Sequence, residues 1–125
     1  MTPDSTTALG RRAEDLACRH LEAQGLRLLE RNYRCRAGEI DLVMLEGSTL
    51  VLIEVRSRSS LAHGGAAATV GAGKQQRVIR AARHLLLTRR DYRQLPARFD
   101  VVAIDPGAPG ELPQVRWIRD AFRTR

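Results

Sequence analysis

The stretch GEIDLVMLEGSTLVLIEVRSR, Gly38 to Arg58, constrains the fold more than any other part of the chain. It contains two apolar runs, and each run is interrupted by one acid, Asp41 in the first and Glu54 in the second. Gly47 suits the first central position of a two-residue turn between them, so the stretch predicts a β-hairpin. The predicted strands are Glu39 to Leu45 and Leu50 to Arg56.

The turn fixes which residues of the hairpin lie opposite each other. A turn over Gly47 and Ser48 pairs residues whose numbers sum to 95, which places Asp41 across from Glu54 with Cβ atoms about 4.5 to 5.5 Å apart. One face of this hairpin is then wholly apolar, with the pairs Ile40 and Val55, Leu42 and Ile53, and Met44 and Val51. The other face is apolar near the turn and charged at the open end, with the pairs Asp41 and Glu54, and Glu39 and Arg56.

Two carboxylates at this distance repel each other by roughly 3 kcal/mol at an effective dielectric constant near 20. Arginines such as Arg56 or Arg58 could neutralise the pair, or one acid could stay protonated. A divalent cation is the favoured interpretation, because Mg²⁺ binds one or two carboxylates together with water and phosphate oxygens. We therefore expect Asp41 and Glu54 to bind Mg²⁺ or Mn²⁺.

The segment before the hairpin predicts a helix from about Ser5 to Gln24, ended by Gly25. Its apolar residues fall on one face: Leu9, Ala13, Leu16, Ala17 and Leu21. Glu14 projects about 20° from Leu21, because seven residues make almost two turns. If this helix packs near the hairpin, Glu14 is a candidate third metal ligand.

The remaining segments complete a mixed α/β pattern. LRLLERNYRC is a predicted strand, SRSSLAHGGAAATVGAG a polar loop, and Gly73 to Arg89 a second helix, whereas ARFDVVAID and QVRWIRDAF are strands, the last at an edge. The apolar face of the second helix is Val78, Ala81, Ala82 and Leu85, with Lys74 and Gln75 one turn above it. The order α-β-β-β-α-β-β predicts one domain over residues 1–125, with a core over about 8–122 and a central mixed sheet flanked by helices.

The net charge indicates the chemistry of the partner. The formal charge is +7, and 20 of the 21 cations are arginine, whose planar fork suits phosphate oxygens. A polyanion such as DNA is the favoured partner, although a GC-rich genome would also enrich arginine. An acidic metal site in a cationic protein is typical of a nuclease, since the arginines hold the phosphate backbone.

Compartment and assembly are less constrained by the sequence. No apolar run is long enough to span a membrane and the N-terminus lacks a secretory signal, so we expect a cytoplasmic protein without membrane association. Cys18 and Cys35 are expected to be free thiols. Two-fold symmetric DNA substrates would favour a homodimer, but no exposed apolar stripe in the sequence marks an interface.

Several segments together resemble a known family. AEDLACRHLEAQGLRLLERNYRCRAGEIDLVM, LVLIEVRSRS, GAGKQQRVIRAARHLL and RFDVVAID are similar to the YraN-like family of uncharacterised bacterial proteins, over about Gly10 to Asp105. The resemblance implies the restriction-endonuclease-like fold of the PD-(D/E)xK superfamily, similar to archaeal Holliday-junction resolvases. It implies metal-site roles for Glu14, Asp41 and Glu54, with assistance from Lys74 or Gln75.

The sequence departs from that superfamily at the basic position of the motif. Here the motif is Glu54-Val55-Arg56, where the superfamily usually has lysine. A guanidinium stays charged at any working pH, so Arg56 can stabilise charge or orient water but cannot act as a base. Lys74 is the candidate for the missing lysine.

Two functions follow from these observations. The first is a metal-dependent DNA endonuclease, with branched or damaged DNA as a candidate substrate and with catalytic residues Glu14, Asp41, Glu54, Arg56, Lys74 and Gln75. The second is a non-catalytic DNA-binding protein that retains the nuclease fold. Salt-sensitive DNA binding that needs no divalent ion would favour the second.

Overall fold

The computed structural model describes residues 5–57 and 70–124, with side chains from residue 10 onward. Its elements are α1 (Ser5–Ala23), β1 (Arg27–Cys35), β2 (Gly38–Glu46), β3 (Thr49–Ser57), α2 (Ala72–Thr88), β4 (Ala97–Asp105) and β5 (Gln114–Phe122), with a short 3₁₀ turn at Arg90–Tyr92. The predicted order α-β-β-β-α-β-β is confirmed. Most of the predicted polar loop, including Arg58, lies outside the described residues.

The five strands form one mixed sheet in the order β1-β2-β3-β4-β5. β3 and β4 are parallel and are joined through α2, whereas the other neighbouring strands are antiparallel. Parallel neighbours need such a crossover, because a tight turn cannot bring the chain back to the start of a parallel strand. The prediction that the last strand lies at an edge is confirmed.

Each helix covers one face of the sheet, as the apolar periodicity predicts. The α1 layer contains the buried residues Ala13, Ala17, Leu21, Leu42, Met44, Val51 and Ile53. The α2 layer contains Val78, Ala81, Ala82 and Leu85, all four predicted, together with Ile79, Val43, Leu50 and Leu52. The side chain of Leu9 lies outside the described residues. Neither described helix combines the length and apolar character that crossing a membrane would require.

The hairpin of β2 and β3 has the predicted register. Its paired residues run from Glu46 opposite Thr49 to Leu42 opposite Ile53, and each pair sums to 95. Gly47 has φ +60°, as the first central position of the predicted turn requires. The regular pairing ends one step before the two acids, so the ladder does not include the predicted pairs of Asp41 with Glu54, Ile40 with Val55 and Glu39 with Arg56.

The prediction for Ile40 is wrong, because the alternation of faces breaks beside Asp41. Ile40 packs in the α2 layer, on the opposite face from Leu42. In the neighbouring strand β1, Arg31 opposite Leu42 contacts α1, whereas Tyr33 opposite Ile40 contacts α2. Asn32, between them, has φ +53°, which strand alternation does not allow for. Both strands therefore change face here, at Asn32 and Asp41.

The start of β2 lies directly against α2. A Cβ atom added to Gly38 would lie 1.9 Å from the carbonyl oxygen of Arg77, closer than any two such atoms can approach. Only glycine fits, so this contact fixes the β1–β2 turn beneath the second helix.

We predict that Gly38→Ala lowers the free energy of unfolding by about 1 to 3 kcal/mol, because the helix backbone must move to accept the methyl group. Gly73→Ala is the matched control. Nothing lies within 4 Å of the added Cβ in α2, so this change should stabilise the protein by about 0.5 kcal/mol. Urea denaturation of both variants measures the two effects, and equal effects would contradict the contact.

Candidate metal site

Glu54 is a buried carboxylate in β3, and its two oxygens have different surroundings. Only 2% of the residue is exposed. Lys74 Nζ in α2 lies 3.0 Å from Glu54 Oε1. Glu54 Oε2 is buried and has no hydrogen-bond partner among the described residues. A buried polar atom in this state is costly, so it requires an explanation.

Asp41 lies beside Glu54 where the hairpin pairing ends. The backbone N–H of Val55 donates a 2.8 Å hydrogen bond to Asp41 Oδ2, so a side chain occupies the place of the next backbone bond. Burial and then the charge of Glu54 raise the pKa of Asp41 to about 7. Burial also raises the pKa of Glu54, although Lys74 opposes this shift. The surrounding described residues therefore compensate the ionisation of these two acids only in part.

Glu14 approaches the pair from α1. Asn32 Nδ2 donates a 3.0 Å hydrogen bond to Glu14 Oε1, and Arg31 Nη2 lies 3.6 Å from the same oxygen. The charge of Glu14 also contributes to the raised pKa of Asp41, after burial and Glu54. Across residues 5–57 and 70–124, no three His, Cys, Asp or Glu side chains are close enough together to hold a metal ion. The structure thus brings Glu14 near Asp41 without gathering all three predicted ligands.

The other predicted residues have distinct positions. Lys74 contacts Glu54, whereas Arg56 is partly buried and lowers the pKa of Glu54 less than Lys74 does. Gln75 Nε2 donates to the carbonyl oxygen of Val70 at 2.8 Å, which holds the segment before α2. Among the residues that the structure describes, the cation in direct contact with Glu54 is therefore Lys74.

Asp100 in β4 shows what a structural buried acid looks like in this protein. It is fully buried, and its oxygens accept hydrogen bonds from Arg98, from the indole of Trp117 and from the backbone of Asp120, at 2.8 to 3.2 Å. Both oxygens are thus satisfied and an arginine balances the charge. Within the described residues only one oxygen of Glu54 has a partner, so stability alone does not account for this buried acid.

Sequence reasoning did not identify Asp100 or Asn32. Arg98 and Asp100 are two apart in a strand, so the sequence places them on one face, which is a usable signal for their pairing. Asn32 has a weaker signal, because asparagine tolerates positive φ but rarely adopts it within a strand.

The residues present fit a hard divalent cation. Carboxylate oxygens are the ligands that Mg²⁺ and Mn²⁺ prefer, and one or two of them suffice when water and phosphate supply the rest. Asp41 and Glu54 form such a pair, and Glu54 Oε2 is an oxygen that is available as a metal ligand within the described structure. Glu14 is near enough to contribute to the charge of the site.

The fold and these residues define an α/β protein with a buried acidic site at the open end of a β-hairpin. The chain belongs to the family described as "Uncharacterised protein family UPF0102", whose model matches residues 13–104. This confirms the predicted YraN-like family, while the nuclease character remains a prediction.

Several members of the family are similar to the chain over nearly all of its length. A UPF0102 protein of Stutzerimonas stutzeri is 52% identical over 115 residues, covering 92% of this chain and 94% of the relative. The corresponding protein of Dechloromonas aromatica is 52% identical over 119 residues, covering 95% and 92%. That of Methylococcus capsulatus is 50% identical over 116 residues, covering 93% and 91%.

The raised pKa of Asp41 predicts a pH dependence of stability in metal-free protein. Between about pH 4, where the unfolded carboxyl titrates, and pH 7, the folded state binds more protons than the unfolded state. The contribution of this group to stability therefore falls as the pH rises through that window. In EDTA, the free energy of unfolding of Asp41→Asn minus that of the wild type should rise by roughly 1 to 3 kcal/mol from pH 4.5 to 7.5.

Denaturant unfolding at several pH values measures this difference. The same series with Asp15→Asn, at an exposed position on α1, is the control. It shows whether removing a carboxylate elsewhere also makes the difference in unfolding free energy rise with pH. A difference for Asp41→Asn that stays constant or declines with pH would contradict the prediction.

Proposed function

We propose that the protein is a metal-dependent DNA endonuclease that hydrolyses phosphodiester bonds. In this proposal Asp41 and Glu54 bind Mg²⁺ or Mn²⁺, and Glu14 assists from α1. The observation that supports it best is the buried Oε2 of Glu54, which has no partner within residues 5–57 and 70–124 and lies beside Asp41, whose pKa is raised to about 7. Acids in this arrangement destabilise the folded protein on their own, which is typical of functional sites.

The charge of the whole molecule supports a polyanionic substrate. At +7, the protein attracts the DNA backbone over distances of about a Debye length, while the local acids would repel it. When bound, a divalent cation neutralises the acids, supplies positive charge at the reacting phosphate and acidifies an attacking water. The acidic site and the cationic surface are then compatible.

Lys74 is the cation best placed to act on the phosphate. Its ammonium contacts Glu54, and 34% of the side chain is exposed. Lys74 can therefore reach both the acid and a substrate. An ammonium donates to phosphate oxygens as a compact charge, whereas Arg56 presents a planar fork. We assign Lys74 and Arg56 to stabilising charge on the phosphate. Gln75 supports them by holding the backbone before α2 at Val70.

A non-catalytic DNA-binding protein is the second candidate. The contact of Lys74 with Glu54 favours it, because this cation balances part of the acidic charge without any metal. The absence of a three-ligand group within the described ranges also agrees with it. The two candidates differ in whether divalent ions and Glu54 matter for activity.

We predict that the purified protein nicks supercoiled plasmid or a four-way DNA junction when Mg²⁺ or Mn²⁺ is present. Glu54→Gln should reduce the rate at least about a hundredfold, because an amide of the same shape removes the charge that binds the ion. Asp120→Asn is the control, since it changes an exposed acid in β5 and asparagine tolerates its φ of +50°. Gel electrophoresis of the products measures the rates.

Nicking that survives Glu54→Gln at the wild-type rate would contradict the endonuclease assignment. DNA binding without cleavage, unchanged by EDTA, would favour the non-catalytic candidate instead. Plasmid and junction substrates compared at equal concentration also report whether branched DNA is preferred.

A further inference from the structure

A second feature beside the acidic site is a cavity at the β1–β2 turn. Its volume is about 290 Å³, and it is lined by residues 34–39 and by Arg77 of α2. A water molecule in the liquid takes about 30 Å³, so the cavity has room for a hydrated phosphate group. Three of the lining residues are arginines, namely Arg34, Arg36 and Arg77.

The charge in the lining is positive. Three arginines and one glutamate, Glu39, give a charge of +2. Arg34 Nε lies 3.4 Å from Glu39 Oε2 in an exposed pair, which offsets one arginine. Arg36 and Arg77 are both exposed, and no acid of the described segments pairs with either of them. An anion that reaches both guanidinium groups can accept hydrogen bonds from each.

The cavity is held together by backbone contact rather than by flexible side chains alone. Gly38 lies directly against the backbone carbonyl of Arg77, at a separation that no side chain would allow. This contact fixes the β1–β2 turn, which contains Arg36 and follows Arg34 at the end of β1, against the helix that contains Arg77. The relative position of the arginines is therefore set by the fold, which reduces the entropy lost on binding.

The cavity adjoins the acidic site along α2. Lys74, which contacts Glu54, and Arg77 are three residues apart, so they lie on neighbouring turns about 4.5 Å apart along the helix axis. Successive phosphates of one DNA strand advance by about 3.4 Å along the duplex axis. A backbone held at Lys74 would therefore bring a neighbouring phosphate towards Arg77.

We propose that the cavity formed by the β1–β2 turn and Arg77 binds a phosphate of the DNA backbone that flanks the reacting one. This inference rests on the proposed function and adds a specific phosphate contact to it. Arg36 and Arg77 are the phosphate ligands. Arg34 lies in the lining of the cavity and pairs with Glu39. Cys35 is a half-buried thiol in the same lining, so its reactivity shows whether a ligand occupies the cavity.

The first test measures DNA binding without cleavage. Anisotropy of a labelled duplex, in EDTA and over a series of salt concentrations, compares the wild type with the double variant Arg36→Ala and Arg77→Ala. Each lost phosphate contact reduces the slope of log affinity against log salt by about 0.9, so we expect a decrease of nearly 2. We also expect affinity near 0.1 M salt to fall at least about tenfold.

The matched control removes two exposed arginines elsewhere, Arg19 of α1 and Arg116 of β5. It has the same net charge as the test variant, so general electrostatic attraction changes equally in both. The test variant should lose more affinity and more slope than this control. Arg36→Lys with Arg77→Lys should restore most of the salt slope, because the charges return.

The second test uses Cys35 and changes no arginine. In a Cys18→Ala background, duplex DNA should slow the reaction of Cys35 with a maleimide at least about fivefold, because the bound backbone covers the cavity. The pre-labelled protein should bind DNA more weakly than the unlabelled one. Replacing the buried Cys18 leaves Cys35, in the cavity lining, as the one cysteine that the maleimide can label.

The outcomes separate this inference from the proposed function. If the arginine variant matches its charge control and DNA leaves Cys35 unprotected while the wild type nicks DNA, the cavity proposal is overturned and the nuclease stands. If the variant loses binding as expected but the wild type never cleaves, the cavity stands and the nuclease fails. A wild type that binds no DNA in EDTA and cleaves none with Mg²⁺ or Mn²⁺ overturns both.

Discussion

The structure depends on one unfavourable interaction, the proximity of Asp41 and Glu54 in an apolar environment. Burial raises the pKa of both acids, and the charge of Glu54 raises the pKa of Asp41 further. Lys74 reaches one oxygen of Glu54 and leaves the other without a partner in the described chain. The described part of the chain therefore satisfies this site incompletely, in contrast to Asp100, whose two oxygens are fully hydrogen-bonded.

The surrounding fold holds this site by backbone geometry. The turn at Gly47 sets the register that carries the acids to the open end of the hairpin, and the pairing of β2 with β3 ends just before them. The positive φ of Asn32 coincides with the change of face beside Asp41. The side chain of Asn32 donates a hydrogen bond to Glu14 of α1. Elements on both faces of the sheet thus converge on one end of the hairpin.

Much of this arrangement follows from the sequence, because it rests on local periodicity. The strand boundaries, the register of the hairpin and the buried face of α2 were predictable from apolar spacing and one glycine. The change of face at Asn32 was not, since it depends on one left-handed residue in a neighbouring strand. The contact of Lys74 with Glu54 was also not predictable, because it depends on how α2 lies across the sheet, which no local pattern encodes.

Calorimetric titration of the protein with Mn²⁺ at pH 6.5, in two buffers of different ionisation enthalpy, tests the central claim most directly. The account predicts one binding site, with proton release that reflects the raised pKa of Asp41, and loss of binding in Glu54→Gln. Absence of binding at millimolar Mn²⁺, or equal binding by the wild type and Glu54→Gln, would contradict it.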